Sequence, residues 1–270
     1  MLIIPRRKVG QTPWTPAQIT TSLWLDAADA ATVTTVSGAV SQWNDKSGNG
    51  RNATQATATS RPAYTTAGLN GLNVITFDGS DDFMDVVTTL FRGIGNFQLH
   101  WVFARLGSGS EDSGGAGYRP DISSLSVSGV DSGAFHYIKN TSNVGASYPF
   151  FNSSPSWANY DITSGTAYVN NQASLLSFTA GSSAWSVFRD GTQEGAASRG
   201  GAVSNDNNGI RIAQQASPPR TSNIYMAELV MTLSDSTVTR QQIEGYLAHK
   251  WGLTGSLPAG HPYKTTPPYA

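Results

Sequence analysis

The chain has 270 residues, a length that a single β-sandwich domain accommodates. Charged residues make up 13% and the formal net charge is -1, so polarity comes from Ser, Thr, Asn, Gln and Gly; such a surface argues against a nucleic-acid binder. Cysteine is absent, which excludes a disulfide scaffold and any cysteine-ligated metal, and no apolar run approaches the ~20 residues of a membrane span.

Residues 1–20 are expected to form an extended arm. Pro5, Pro13 and Pro16 restrict it to extended or turn conformations. Ile3, Ile4 and Trp14 supply apolar anchors, and Arg6, Arg7 and Lys8 make it locally basic. Charges that follow the apolar residues are not the order of a secretory signal. Release by host lysis is the expected route out of the cell, which suits a virion component.

From Leu23 the pattern becomes strand-like. Leu23-Trp24-Leu25 and Val40-Ser41-Gln42-Trp43 read as buried strands, and Asn44-Asp45-Lys46-Ser47-Gly48-Asn49-Gly50 as a loop. Leu72–Phe77 and Phe97–Ala104 are further strands, with a turn at Asp78-Gly79-Ser80-Asp81-Asp82. Residues 107–120 read as a long Gly/Ser-rich loop. More strands follow around Phe135, Val169, Leu176, Trp185, Ile210 and Leu229. Asp190-Gly191 signals a hairpin with a type I′ turn. In the Ile224–Leu233 strand, Tyr225, Ala227, Leu229 and Met231 are expected to face one way and Met226, Glu228, Val230 and Thr232 the other.

One helix closes the chain, expected over about 239–251. Thr239 and Gln242 have capping-box spacing, Ile243, Tyr246, Leu247 and Trp251 share one face, and Gly252 suits a left-handed cap. So short a helix must dock its apolar stripe on the sandwich. Residues 21–270, helix included, are expected to be one domain.

Three segments, Leu23 to Gln55, Asn70 to Met84 and Ile224 to Lys264, together resemble the concanavalin A-like, laminin-G-like jelly-roll modules of bacteriophage virions. The resemblance rests on Trp43-Asn44-Asp45-Lys46-Ser47-Gly48-Asn49-Gly50, on Phe77-Asp78-Gly79-Ser80-Asp81-Asp82-Phe83, and on Ile243–Leu253 running on to Tyr263. It implies an all-β fold: a two-sheet antiparallel jelly roll with a short C-terminal helix packed on it. It also implies a tail-fibre, head-fibre or capsid-decoration role on the virion surface, a homotrimer, and attachment to other virion proteins through the arm. Some related domains bind carbohydrate or calcium.

Retaining glucanases need two carboxylates ~5–5.5 Å apart, usually from clustered acids on one strand. Glu111, Glu194, Glu228 and Glu244 are far apart in sequence, and no Gly-x-Ser-x-Gly elbow occurs. The expectation is therefore a non-enzymatic structural protein, with a carbohydrate-binding receptor-recognition module as the alternative and a glycan-cleaving enzyme as the more remote one. His100, His136, His249 and His261 lack metal-ligand spacing and read as structural; His249, in the last helical turn, is placed to help satisfy the helix-end carbonyls. Asp45, Asn49, Asp78, Asp81 and Asp82 carry two readings, turn residues or calcium ligands, and the turn is the plainer one. No other cofactor is implied. Trp157 and Tyr160, in a polar stretch, are candidate platforms for host-surface polysaccharide, and Trp185, in a strand, is expected in the core.

Overall fold

The computed structural model describes residues 12–86, 90, 94–107, 118–124, 134–139, 144–148, 162–198, 209–216 and 219–270. The architecture is the expected antiparallel β-sandwich, and among the described residues a single α-helix, α1 (Thr237–Trp251), lies at the C-terminal end.

A front sheet runs in the order Thr21–Asp26, Asn223–Thr232, Phe97–Arg105, Ala173–Ala180, Ala184–Arg189 and Thr192–Ser198. The opposing sheet contains Ala63–Leu69 with Leu72–Asp78, and Ala39–Trp43 with Ala53–Thr54. It continues through Met84–Val86, Ile210–Ile212 and Tyr118–Ser124 to Ala134–Lys139, Val144–Tyr148 and Ile162–Ala167. Leu23, Leu25, Leu99, Trp101, Phe178 and Leu229 from the front sheet meet Trp43, Ile75, Phe77 and Ile212 from the other, forming the inner core. Trp185 lies in this core, as expected.

A second apolar layer lies on the outer face of the front sheet. Trp24, Val102, Leu175 and Val230 pack there against Ile243, Leu247 and Trp251 of α1. All nine residues of Phe97–Arg105 are buried, because that strand is covered by the helix on one side and the second sheet on the other.

The long Asn223–Thr232 strand serves both sheets. Its first half pairs with Leu72–Asp78 and its second with Thr21–Asp26. Against Phe97–Arg105 the register slips between Met226 and Glu228. This bulge breaks the simple alternation expected from the sequence. Met226 and Leu229 face the inner core, while Ala227 joins the outer layer and Glu228 is turned toward α1, as a β-bulge does when it re-aims a side chain.

The helix starts earlier than the sequence suggested. Ser236 is the cap, its hydroxyl accepting from Thr239 N–H at 3.4 Å, so Thr239 is already inside the first turn. Gly252 takes the predicted left-handed conformation at φ 77°, and Leu253 N–H closes on Ala248 O. The Asp190-Gly191 turn has φ of 49° and 77°, the type I′ signature.

Residues 12–20, within the expected arm, pack on the chain's own body. Pro16–Gln18 form a turn of 3-10 helix, and Trp14 is 5% exposed with its ring edge-on to Tyr246 at 6.1 Å. Trp14 N–H donates to Pro268 O and Ala270 N–H to Thr12 O, tying the two segments together. Trp14 is therefore an anchor within the chain's own body and not the contact to another protein expected of it. Ile3, Ile4, Arg6, Arg7 and Lys8 lie outside the described residues.

Candidate functional site

Three polar constellations stand out among the described residues. The first is the loop after Trp43. Asp45 Oδ1 accepts from Trp24 N–H and Ser47 N–H at 2.9 Å, and Oδ2 accepts from Ser47 Oγ at 2.7 Å and Arg51 N–H at 3.0 Å. Asn49 donates to Thr21 O at 3.0 Å and Ser22 O at 3.3 Å. Both side chains are committed to folding the loop onto the first strand. They do not join the other calcium candidates.

The second is the Asp78–Asp82 turn. Here Asp78, Asp81 and Asp82 bring carboxylate oxygens within 4.8 Å of one another. The turn explains much of this by itself: Asp82 Oδ2 accepts from Asp78 N–H at 3.1 Å, Asp78 Oδ1 from Ser80 N–H at 2.7 Å, and Asp81 Oδ2 from Ser60 Oγ at 3.3 Å. Burial pushes the Asp82 carboxyl up to about 6, with Asp78 and Asp81 adding repulsion against the favourable Asp78 N–H contact.

The third is a polar chamber between the front sheet and α1. Asp26 and Glu228 are direct cross-strand partners, and both point at the helix. Glu228 is fully buried. Its Oε1 accepts from Trp24 Nε1 at 2.8 Å and Tyr246 OH at 3.0 Å; its Oε2 accepts from Trp251 Nε1 at 2.8 Å and Lys250 Nζ at 2.7 Å. Lys250 Nζ also lies 2.6 Å from Asp26 Oδ1, and Lys46 Nζ bridges Asp26 Oδ2 at 3.0 Å and Asp29 Oδ2 at 2.8 Å. Burial raises the Glu228 carboxyl above the usual range, outweighing Lys250 and the Trp24 hydrogen bond. Burial alone would lower Lys46, but its contacts to Asp29 and Asp26 more than offset this and leave it raised. Tyr246 is raised too, by burial and by Glu228, so it stays a hydroxyl donor.

The histidines are structural where their side chains are described. His100 is fully buried, its Nδ1 2.9 Å from Ser177 Oγ and its Nε2 3.2 Å from Gln98 Oε1, and burial pushes it down to about 4. Ser177 is sealed from solvent beside it, so this serine–histidine contact offers no substrate access. His261 Nε2 lies 3.2 Å from Glu244, which also binds Arg240 at 2.7 Å. Burial opposes ionisation of Glu244, but the His261 and Arg240 contacts outweigh it and lower its pKa. His249 reaches Tyr263 O at 2.8 Å and holds the tail, rather than the helix-end carbonyls expected for it. Trp157 and Tyr160 lie outside the described residues.

One feature of the sequence does point to the third site. Glu228 is the sole acid in the run Met226-Ala227-Glu228-Leu229-Val230-Met231, and an acid in so apolar a strand requires a buried partner.

No family model matches the chain, and no curated protein matches it in sequence. Solved structures do share its fold. Trypanosoma rangeli sialidase in complex with the inhibitor DANA matches at TM-score 0.53 and 12% identity, over 80% of this chain and 31% of that one. Domain 4 of an extracellular GH43 arabinanase from Geobacillus stearothermophilus, in complex with arabinotriose, matches at TM-score 0.49 and 13% identity, over 78% of this chain and 91% of that one. A carbohydrate esterase from the Shiga toxin-encoding bacteriophage phi24B matches at 0.46 and 14%, over 78% and 97%. Of these three, the sialidase likeness exceeds a TM-score of 0.5, and at 12% identity it speaks for the fold alone. This chain spans about a third of the sialidase's length. The likeness nonetheless overturns the expectation that the chain is not an enzyme. That expectation rested on missing hydrolase motifs, and the same sandwich occurs in a protein named as a sialidase.

Proposed function

We propose that the chain is a carbohydrate-directed β-sandwich module displayed on a bacteriophage virion, with residues 1–11 as its tether to another virion protein. The observation that carries this reading is the outer face of the front sheet. Trp24 belongs to the first of the segments that resemble phage modules and Trp251 to the last, yet both donate to the same Glu228 carboxylate. The resemblance therefore falls on residues that work together in one structural unit. A surface rich in neutral polar side chains suits display on a particle. The copies assemble as a trimer, and several weak tethers per particle act through avidity.

Two variants test this. Deleting residues 1–11 leaves Trp14 and its pairing with Pro268 in place, so the truncated protein folds but is missing from purified particles. Normal incorporation of the truncated protein would refute the tether. Replacing Trp157 and Tyr160 with Ala lowers adsorption to host cells while leaving incorporation intact; unchanged adsorption would remove these residues from the carbohydrate site. Product release from host polysaccharide by the wild-type protein, assayed in parallel, distinguishes turnover from retention.

A further inference from the structure

The chamber under α1 holds a lysine, an aspartate and a glutamate in an arrangement that goes beyond an ion pair. Lys250 Nζ is 2.6 Å from Asp26 Oδ1 and 2.7 Å from Glu228 Oε2. Asp26 and Glu228 are 4% and 0% exposed. The walls are aromatic: Lys250 Nζ lies 5.3 Å from the centre of the Trp251 ring and 5.5 Å from that of Tyr246, and Trp24 closes the far side of Glu228. We propose that Lys250 and Asp26 condense into an intramolecular isopeptide bond, Nζ to Cγ, with Glu228 as the proton relay.

Each group has a defined task. An amine attacks a carboxyl only when the amine is neutral and the carboxyl protonated. Fixed contact at 2.6 Å, held by the strand and the helix, replaces an otherwise unfavourable encounter. Glu228 touches Lys250 directly, and its orientation is fixed by three further donors: Trp24, Tyr246 and Trp251. Its carboxyl, raised by burial, can hold and return a proton. Lys46 stands 3.0 Å from Asp26 Oδ2, where negative charge develops during attack.

The atoms balance without another reactant. One proton passes from the Lys250 ammonium, through Glu228, to Asp26 Oδ1. The Nζ lone pair then adds to Cγ, and the oxyanion forms on Oδ2 opposite Lys46. A second proton leaves Nζ by way of Glu228 and reaches Oδ1. The Cγ–Oδ1 bond breaks, one water departs, and the carbonyl re-forms at Oδ2. One ammonium and one carboxylate are consumed, and Glu228 ends in the protonation state in which it began. Lys46 is not the partner, because its second contact is the half-exposed Asp29, whereas Lys250 bridges Asp26 to the relay itself.

The bond would join the first strand to the last helix and close almost the whole chain into a covalent loop. That suits a module exposed to shear and proteases, and it holds whether or not the protein binds carbohydrate or a virion. The test is intact mass spectrometry of the purified full-length protein, followed by peptide mapping. The expected mass is that of the sequence less one water, with a branched peptide joining Asp26 to Lys250. A folded protein with the full sequence mass overturns the proposal. Asp-Gly turns also lose water by cyclising, and this chain has them at Asp78-Gly79 and Asp190-Gly191, so Lys250→Arg is the control. Full mass in Lys250→Arg supports the bond; a retained deficit places the loss elsewhere and refutes it. Glu228→Gln keeps an acceptor for Trp24 and Tyr246 but cannot relay protons. It is expected to recover the full mass, and an unchanged cross-link there would remove Glu228 from the chemistry.

Discussion

Replacing Asp190 with Asn is expected to stabilise the protein at neutral pH and flatten its acid dependence. Asp190 opens the type I′ turn, accepts Leu175 N–H on Oδ1 at 2.8 Å, and is pushed up to about 6, chiefly by burial and against the help of Leu175 and Arg189. Its unfolded value is near 3.8. Below that both states hold the proton and the group costs nothing. Between the two values the folded state keeps a proton that the unfolded state releases, so stability falls as pH rises. Above about 6 the loss is constant, and two pKa units correspond to about 3 kcal/mol. Asn keeps the acceptor and tolerates the left-handed backbone, but has nothing to ionise. Burying its amide offsets part of the gain, leaving about 1–2 kcal/mol at pH 7 and little or none at pH 4. Urea unfolding of both proteins from about pH 3.5 to 8 reads the difference directly. An Asp190→Asn variant that is less stable at pH 7 than the wild type, with the same slope between pH 4 and 6, would refute the reasoning.

Four other outcomes follow from the same geometry. Trp251→Ala should cost about 3–5 kcal/mol because the ring is buried, whereas Trp251→Phe should cost about 1–3 kcal/mol, mainly the lost donor to Glu228; a Trp251→Phe melt indistinguishable from wild type would show that the hydrogen bond adds nothing, and equal losses in the two variants would show that the ring's packing adds nothing. Gly245→Ala would normally favour a helix by up to ~1 kcal/mol, but an added Cβ would sit 2.4 Å from Tyr263 Cβ, so proteolysis of the tail after residue 252 should quicken; slower cleavage would contradict the packing. Gly191→Ala should destabilise the hairpin, since φ is +77° and the methyl would meet His261, Leu257 and Pro258 at 3.1–3.2 Å, and an unchanged melting temperature would count against that contact. Chelation at matched ionic strength should leave the melting temperature unchanged, because the Asp78–Asp82 carboxylates cap their own turn; a clear fall would assign the turn to a cation.

Much of the fold is legible in local pattern. Leu72–Phe77 and Phe97–Ala104 stand out because alternation and bulky β-formers coincide there, and the observed strands run only one residue further. The Asp190-Gly191 turn is legible because few dipeptides accept two positive φ values. The helix start is misplaced because Thr239 competes with Ser236 as a cap, and β-branched Thr237 and Val238 do not look like a first helical turn. Trp14 looks like a free anchor because the residues that hold it, Tyr246 and Pro268, come at the far end of the sequence.

Apart from the lone Glu228 in its apolar strand, the chamber under α1 is illegible for two reasons. Asp26 and Lys46 come from one end of the sequence and Glu228 and Lys250 from the other, and only strand pairing brings Asp26 beside Glu228. The bulge at Ala227 then decides which way Glu228 points, and no residue there announces a bulge. The absence of clustered acids in the sequence therefore says nothing about the two carboxylates that the fold sets side by side.

The most direct test of the functional reading is binding of the purified protein, lacking residues 1–11, to a panel of bacterial surface polysaccharides. Saturable binding to one polysaccharide, lost on denaturation and competed by its own oligosaccharide fragments, is the predicted result. No retention and no product release across the panel, from protein that remains folded, would contradict a carbohydrate-directed module.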